Sequence, residues 1–143
     1  MAVSDSDLLK KAKDIMKQAY CPYSKFPVGA ALLTDDDTII LGVNCENASY
    51  GGGVCAERNA VTTALTQGYR KFKAIAVATE LENPESGSPC GICRQFLIEF
   101  GDYEVILGSS VNDKVVKTST SKLLPYAFTP ASLDDHAEQT SKR

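Results

Sequence analysis

At 143 residues the chain is one ordinary domain, long enough for a single well-filled core. Apolar residues make up 43% and charged residues 23%, a globular balance, and the net charge of -3 argues against a nucleic-acid binder, which carries a basic face. No apolar run nears the roughly 20 residues that span a bilayer, no basic-then-apolar signal peptide opens the chain, and five cysteines fit a reducing compartment, so a cytoplasmic location without a membrane partner is expected.

Ser4 followed by Asp7 reads as a capping box, and Leu8, Ala12, Ile15, Met16 and Ala19 recur at helical spacing, predicting an amphipathic helix over 5–19. Residues 28–34 and 38–44 read as two strands joined through Asp35, Asp36 and Asp37 as a hairpin. Gly51, Gly52 and Gly53 punctuate the chain before Cys55. Ala56, Ala60, Val61, Ala64 and Leu65 then define a second helix that Gly68 ends. A buried-looking strand over 73–79 leads into a polar loop over 80–89. A third helix is predicted from Cys90 to Gly101, then strands over 103–107 and 114–118, a short helix or turn at Leu123–Pro125, and a mobile polar tail over 132–143. Helices alternating with strands after a hairpin imply an α/β fold, a mixed sheet covered by helices on both faces, in one domain spanning 1–131.

Chemistry concentrates at Cys55-Ala56-Glu57 and, with 34 residues between Cys55 and Cys90, at Cys90-Gly91-Ile92-Cys93. Three thiolates are one short of a closed structural zinc site, whereas catalytic zinc keeps three protein ligands and an open position for water. Both clusters fall where a loop enters a helix, whose free N–H groups favour thiolate over thiol. Glu57 then stands where it can move protons at that water. Three thiolates on a divalent ion leave a negative centre, so a cation should compensate; Arg58 and Arg94 are nearest in sequence, and at least one should hydrogen-bond a ligand sulfur. A closed zinc module would need its fourth ligand from Cys21, Cys45 or His136. His136 lies in the polar tail, Cys21 reads as a small buried hydrophobe, and Cys45, alternating with Asn44 and Glu46, should face the core.

These motifs resemble the active site of the cytidine deaminases in their short, three-cysteine form, from Cys-Ala-Glu through Pro-Cys-Gly-Ile-Cys-Arg-Gln. Residues 22–30, 44–50 and 123–128 are similar to the family's other signatures, in the same order. The resemblance implies a three-layer α/β/α fold with a five-stranded mixed sheet, a Zn²⁺ cofactor held by Cys55, Cys90 and Cys93, and Glu57 as the proton carrier. It also implies hydrolytic deamination of cytidine and deoxycytidine in pyrimidine salvage. Asn44 and Glu46 would read the ribose 3'-hydroxyl, with Asn47 in the same segment. Phe26 would pack on the pyrimidine, and the backbone at Ala56 and Ser88 would read its edge. Ala48, Tyr50 and Phe128 would reach a neighbouring subunit's ligand within a homotetramer. Cys45 stands where the family commonly has valine, and Tyr126 and Thr129 where glycines are common.

Two rival functions remain distinguishable. A deaminase of the antibiotic blasticidin S shares the zinc motifs, but the Asn44–Asn47 segment suits a ribose. An RNA-binding or editing protein would carry basic and aromatic stretches around the site, and the acidic balance speaks against it.

Overall fold

The computed structural model describes residues 2–143. Five helices and five strands follow one another as α1 (Asp5–Ile15), β1 (Gly29–Thr34), β2 (Ile39–Val43), α2 (Ala56–Thr66), β3 (Phe72–Thr79), α3 (Gly91–Ile98), β4 (Glu104–Ser109), β5 (Val115–Ser119), α4 (Thr120–Leu123) and α5 (Pro130–Ser141). The strands form one sheet in the order β2-β1-β3-β4-β5, antiparallel except for the β3–β4 pair. That parallel pair needs a crossover, which α3 supplies.

Strand alternation divides the core. Ala31, Leu33, Ala74, Ala76, Ala78 and Ile106 face α1 and pack against Leu8, Leu9 and Ala12. Ala30, Leu32, Ile75, Val77, Val105 and Leu107 point the other way, against Ala56, Ala60, Val61 and Ala64 of α2 and Leu97 of α3. The expected mixed sheet between helical layers is what forms. β1, buried along its whole length, lies inside the sheet and is covered on both faces.

Two glycines set how closely helices approach the sheet. A Cβ on Gly42 would lie 2.5 Å from the Ala56 carbonyl oxygen and the Ala60 nitrogen, so β2 and the first turn of α2 meet backbone to backbone. A Cβ on Gly29 would lie 2.0 Å from the Ala12 carbonyl oxygen of α1.

Several boundaries differ from expectation. α1 stops at Ile15 and tightens into a 3₁₀ turn, Met16–Gln18, rather than running to 19. The loop after β3 contains another 3₁₀ turn, Pro84–Gly87. β2 ends at Val43, and residues 44–46 leave the sheet to pair singly with Tyr20 and Val54. Cys45 is therefore exposed, not core-facing: it points away from Asn44 and Glu46, but outside the sheet that side meets solvent; Cys21 is only half-buried. The segment read as a polar tail contains α5, with Pro130 at its start and Ser132 Oγ accepting from the Thr129 N–H at 3.2 Å. None of its residues is buried, which is why no apolar periodicity announces it. Among the described residues, no helix is long and apolar enough to cross a membrane.

Candidate active site

Cys55 is the residue that begins α2 and Cys90 the one that begins α3, both extended at the loop–helix junction. Cys93 follows one turn into α3 and is buried. Packing of the two helix starts brings the three sulfurs within 4.8 Å of one another, with Cys55 Sγ and Cys90 Sγ 4.0 Å apart. Sulfurs about 2.3 Å from one tetrahedral zinc would lie about 3.8 Å apart, so the cluster fits that ion with little adjustment. It is the only cluster of its kind among the described residues; neither Cys21, Cys45 nor His136 joins it.

The thiols are electrostatically linked. Hydrogen bonding to Cys93 and then to Arg58 holds the Cys55 thiol down at about 5. Its bond to Cys55 and its burial push the Cys93 thiol up. Arg58 Nη2 donates to Cys55 Sγ at 3.7 Å, as the charge argument required of one arginine. Arg94 does not reach a sulfur. Its guanidinium donates to the Pro89 carbonyl (2.7 Å), the Ser88 hydroxyl (2.9 Å) and the Leu123 carbonyl (3.0 Å). Helix position alone does not separate them, since Arg58 lies three residues beyond Cys55 and Arg94 four beyond Cys90; the Ser88, Pro89 and Leu123 acceptors draw the Arg94 guanidinium away from the sulfurs.

Glu57, in the first turn of α2, is only 4% exposed, and burial pushes its carboxyl up to about 7. It faces a cleft of about 340 Å³ lined by Ser24, Phe26, Val28, Asn44, Glu46, Cys55, Ala56, Thr79, Ser88 and Cys90 among others. Two of the three clustered cysteines, the acid and five of the expected substrate contacts thus share one cavity, though they come from segments far apart in sequence.

Asn44 and Glu46, the pair expected to read the ribose, are organised by their hydrogen bonds rather than by a strand. Asn44 Oδ1 accepts from the Val28 N–H (2.9 Å), and Nδ2 donates to the Phe26 carbonyl (2.8 Å), leaving one amide hydrogen uncommitted. Glu46 Oε1 accepts from the N–H groups of Tyr23 and Ser24, each at 3.0 Å, and Oε2 accepts from the Ser24 hydroxyl. Those donors, the Ser24 hydroxyl foremost, hold the Glu46 carboxyl below its ordinary range, so it stays ionised. Asn44 and Glu46 also fix residues 23–28, which carry Phe26 past the left-handed Lys25 (φ 58°).

Asn47 and Tyr50 do not line this cleft; they border a second one, of about 340 Å³, that shares only Ser24 and Glu46 with it. Tyr50 is 80% and Phe128 59% exposed, and neither Ala48 nor Phe128 faces the cleft of its own chain. Ser24 and Thr79 are wall residues that sequence reasoning missed. Ser24 sits inside a recognised motif, but a role for it needs the Glu46 contact 22 residues away; Thr79 has no signal beyond ending a strand.

The comparisons with known proteins agree with this geometry. Residues 2–109 match the family model described as the cytidine and deoxycytidylate deaminase zinc-binding region. A cytidine deaminase of Sporosarcina psychrophila is 48% identical over 134 residues, 92% of this chain and 96% of that protein. One from Halalkalibacterium halodurans is 45% identical over 130 residues, covering 90% and 96%. The crystal structure of cytidine deaminase from Burkholderia pseudomallei superposes with a TM-score of 0.83 at 48% identity, over 88% of this chain and all of that one. Matched along most of its length and through both cysteine clusters, the chain belongs to the cytidine and deoxycytidylate deaminase family.

Proposed function

We propose that the protein is a zinc enzyme that hydrolyses the 4-amino group of cytidine and deoxycytidine, giving uridine or deoxyuridine and ammonia. The observation that carries this reading is the cleft itself: a buried carboxylate beside three clustered sulfurs, with an aromatic ring and a carboxamide–carboxylate pair on the opposite wall. Zinc held by Cys55, Cys90 and Cys93 would supply an activated water and neutralise charge developing at C4. Glu57 takes a proton from the attacking water and delivers it to N3 of the pyrimidine. It then carries a second proton to the departing amino group, returning to its starting state. Arg58 offsets the thiolate charge through Cys55.

Asn44 donates its uncommitted amide hydrogen to the ribose 3'-oxygen while Glu46 accepts from the 3'-hydroxyl. An ionised Glu46 repels a 3'-phosphate, which favours free nucleosides over nucleotides and nucleic acid. The 2'-hydroxyl is not read, so both sugars are accepted. Phe26 packs on the base, and the backbone at Ala56 and Ser88 reads its edge.

Asn47 belongs to the nucleoside-binding segment, and Ala48, Tyr50 and Phe128 serve a neighbouring subunit. Their exposure and their position outside their own cleft support that assignment, and the resemblance to the short three-cysteine deaminases makes the working unit a homotetramer with shared sites. The catalytic domain spans 1–131, and the enzyme works in the cytoplasm in pyrimidine salvage. The deciding assay is the loss of cytidine absorbance on adding purified protein, with cytidine monophosphate and blasticidin S in parallel. Turnover of cytidine alone is expected; turnover of blasticidin S alone would overturn the reading.

A further inference from the structure

Arg94 has one guanidinium and three acceptors from two separate parts of the chain. Ser88 Oγ and the Pro89 carbonyl belong to the loop that forms one wall of the cleft and leads straight into Cys90. The Leu123 carbonyl closes α4. The next residue, Gln95, donates through Nε2 to the Phe128 carbonyl at 2.7 Å. Consecutive residues of α3 therefore pin the 124–128 loop at both ends, and the first of them also pins the cleft wall.

We infer that Arg94 is a positioning residue: it fixes the Ser88–Pro89 backbone against the substrate base and makes that position depend on the segment carrying Phe128. This rests on the proposed nucleoside site for its kinetic consequence but not for its mechanical one. The device needs a planar fork with donors aimed in separate directions; a lysine keeps the charge but cannot hold three divergent acceptors at once. It also gives the exposed Phe128 segment a route to the cleft: anything that immobilises residues 123–128 also immobilises the wall at 88–89.

The test compares wild type with Arg94→Lys and Gln95→Ala, the latter at an exposed helix position where folding is not at stake. Zinc content, hydrogen exchange of the free protein and cytidine kinetics are measured. Arg94→Lys should keep its zinc yet exchange faster in both 84–90 and 120–128. Its KM should rise about tenfold, the scale of one or two lost hydrogen bonds to a charged group, with kcat changed by less than about threefold. Gln95→Ala should speed exchange in 84–90 as well as in 120–128, and the double variant should be less impaired than the product of the two single effects. Faster exchange confined to one segment, an unchanged KM in active protein, or loss of zinc from Arg94→Lys would each overturn the inference. If wild type leaves cytidine untouched, the nucleoside reading falls, and the exchange measurement alone decides the brace.

Discussion

At the scale of single residues, burial and donor geometry separate side chains that look alike in sequence. Glu57 and Glu46 are both carboxylates beside the cleft, but one is buried at its floor and the other is held at the rim by three donors from residues 23–24. Glu57→Gln should bind zinc and fold normally while turnover falls at least about 100-fold, because an amide hydrogen-bonds but cannot shuttle protons. Retention of a tenth of wild-type turnover would remove Glu57 from the mechanism. The cysteines divide just as sharply. Cys55→Ala, Cys90→Ala and Cys93→Ala should each lower zinc from about one ion per chain, the stoichiometry of a three-ligand site, whereas Cys21→Ala and Cys45→Ala should not. Full zinc in Cys90→Ala, measured by metal analysis, would show that the ligands are misassigned.

At the scale of elements, the active site is a packing problem. The ligands sit at the ends of two helices, so whatever places α2 and α3 against the sheet also sets the sulfur spacing. Gly42→Ala inserts a methyl where Ala56 and Ala60 backbone atoms already lie 2.5 Å from the Cβ position. It should cost about 2–3 kcal/mol in denaturant unfolding, the range of an overpacked core, and weaken zinc retention against a chelator because Cys55 shifts with α2. An unchanged midpoint and unchanged retention would mean that α2 moves freely on β2. Tyr126 makes the opposite case. It takes a left-handed conformation (φ 54°) with its side chain fully exposed. Tyr126→Gly should relieve strain and stabilise the fold by about 1 kcal/mol, read as a higher thermal midpoint.

At the scale of the whole molecule, the chain carries its zinc chemistry internally but leaves large aromatic side chains facing outward. If Tyr50 and Phe128 complete a neighbour's pocket, catalysis requires association. Phe128→Ala should then raise KM for cytidine while zinc content stays the same. Glu57→Gln and Phe128→Ser, each inactive or crippled alone, should regain partial activity when refolded together, since some mixed sites pair an intact Glu57 with an intact Phe128. A fully active monomer in sedimentation at assay concentration would exclude the shared site.

The cysteine cluster, the buried glutamate beside it, the sheet class and the family were all readable in the sequence, because each depends on local spacing: cysteines three apart at a helix start, glutamate two beyond Cys55, apolar residues at helix or strand period. The fate of residues 44–46 was not readable, because pairing with Tyr20 and Val54 takes them out of the sheet, so the side of the segment that carries Cys45 meets solvent instead of core. Nor was the division between two arginines that each lie near a ligand cysteine in sequence. Arg58 lies one helical turn beyond Cys55 and reaches its sulfur, while Arg94 finds three acceptors, one of them 29 residues downstream. Ser24 acquires its place only through Glu46, 22 residues away. Local periodicity determines which elements form and which residues begin them. Contacts that close long loops decide which of the polar side chains face the same cavity, and only the packed chain specifies those.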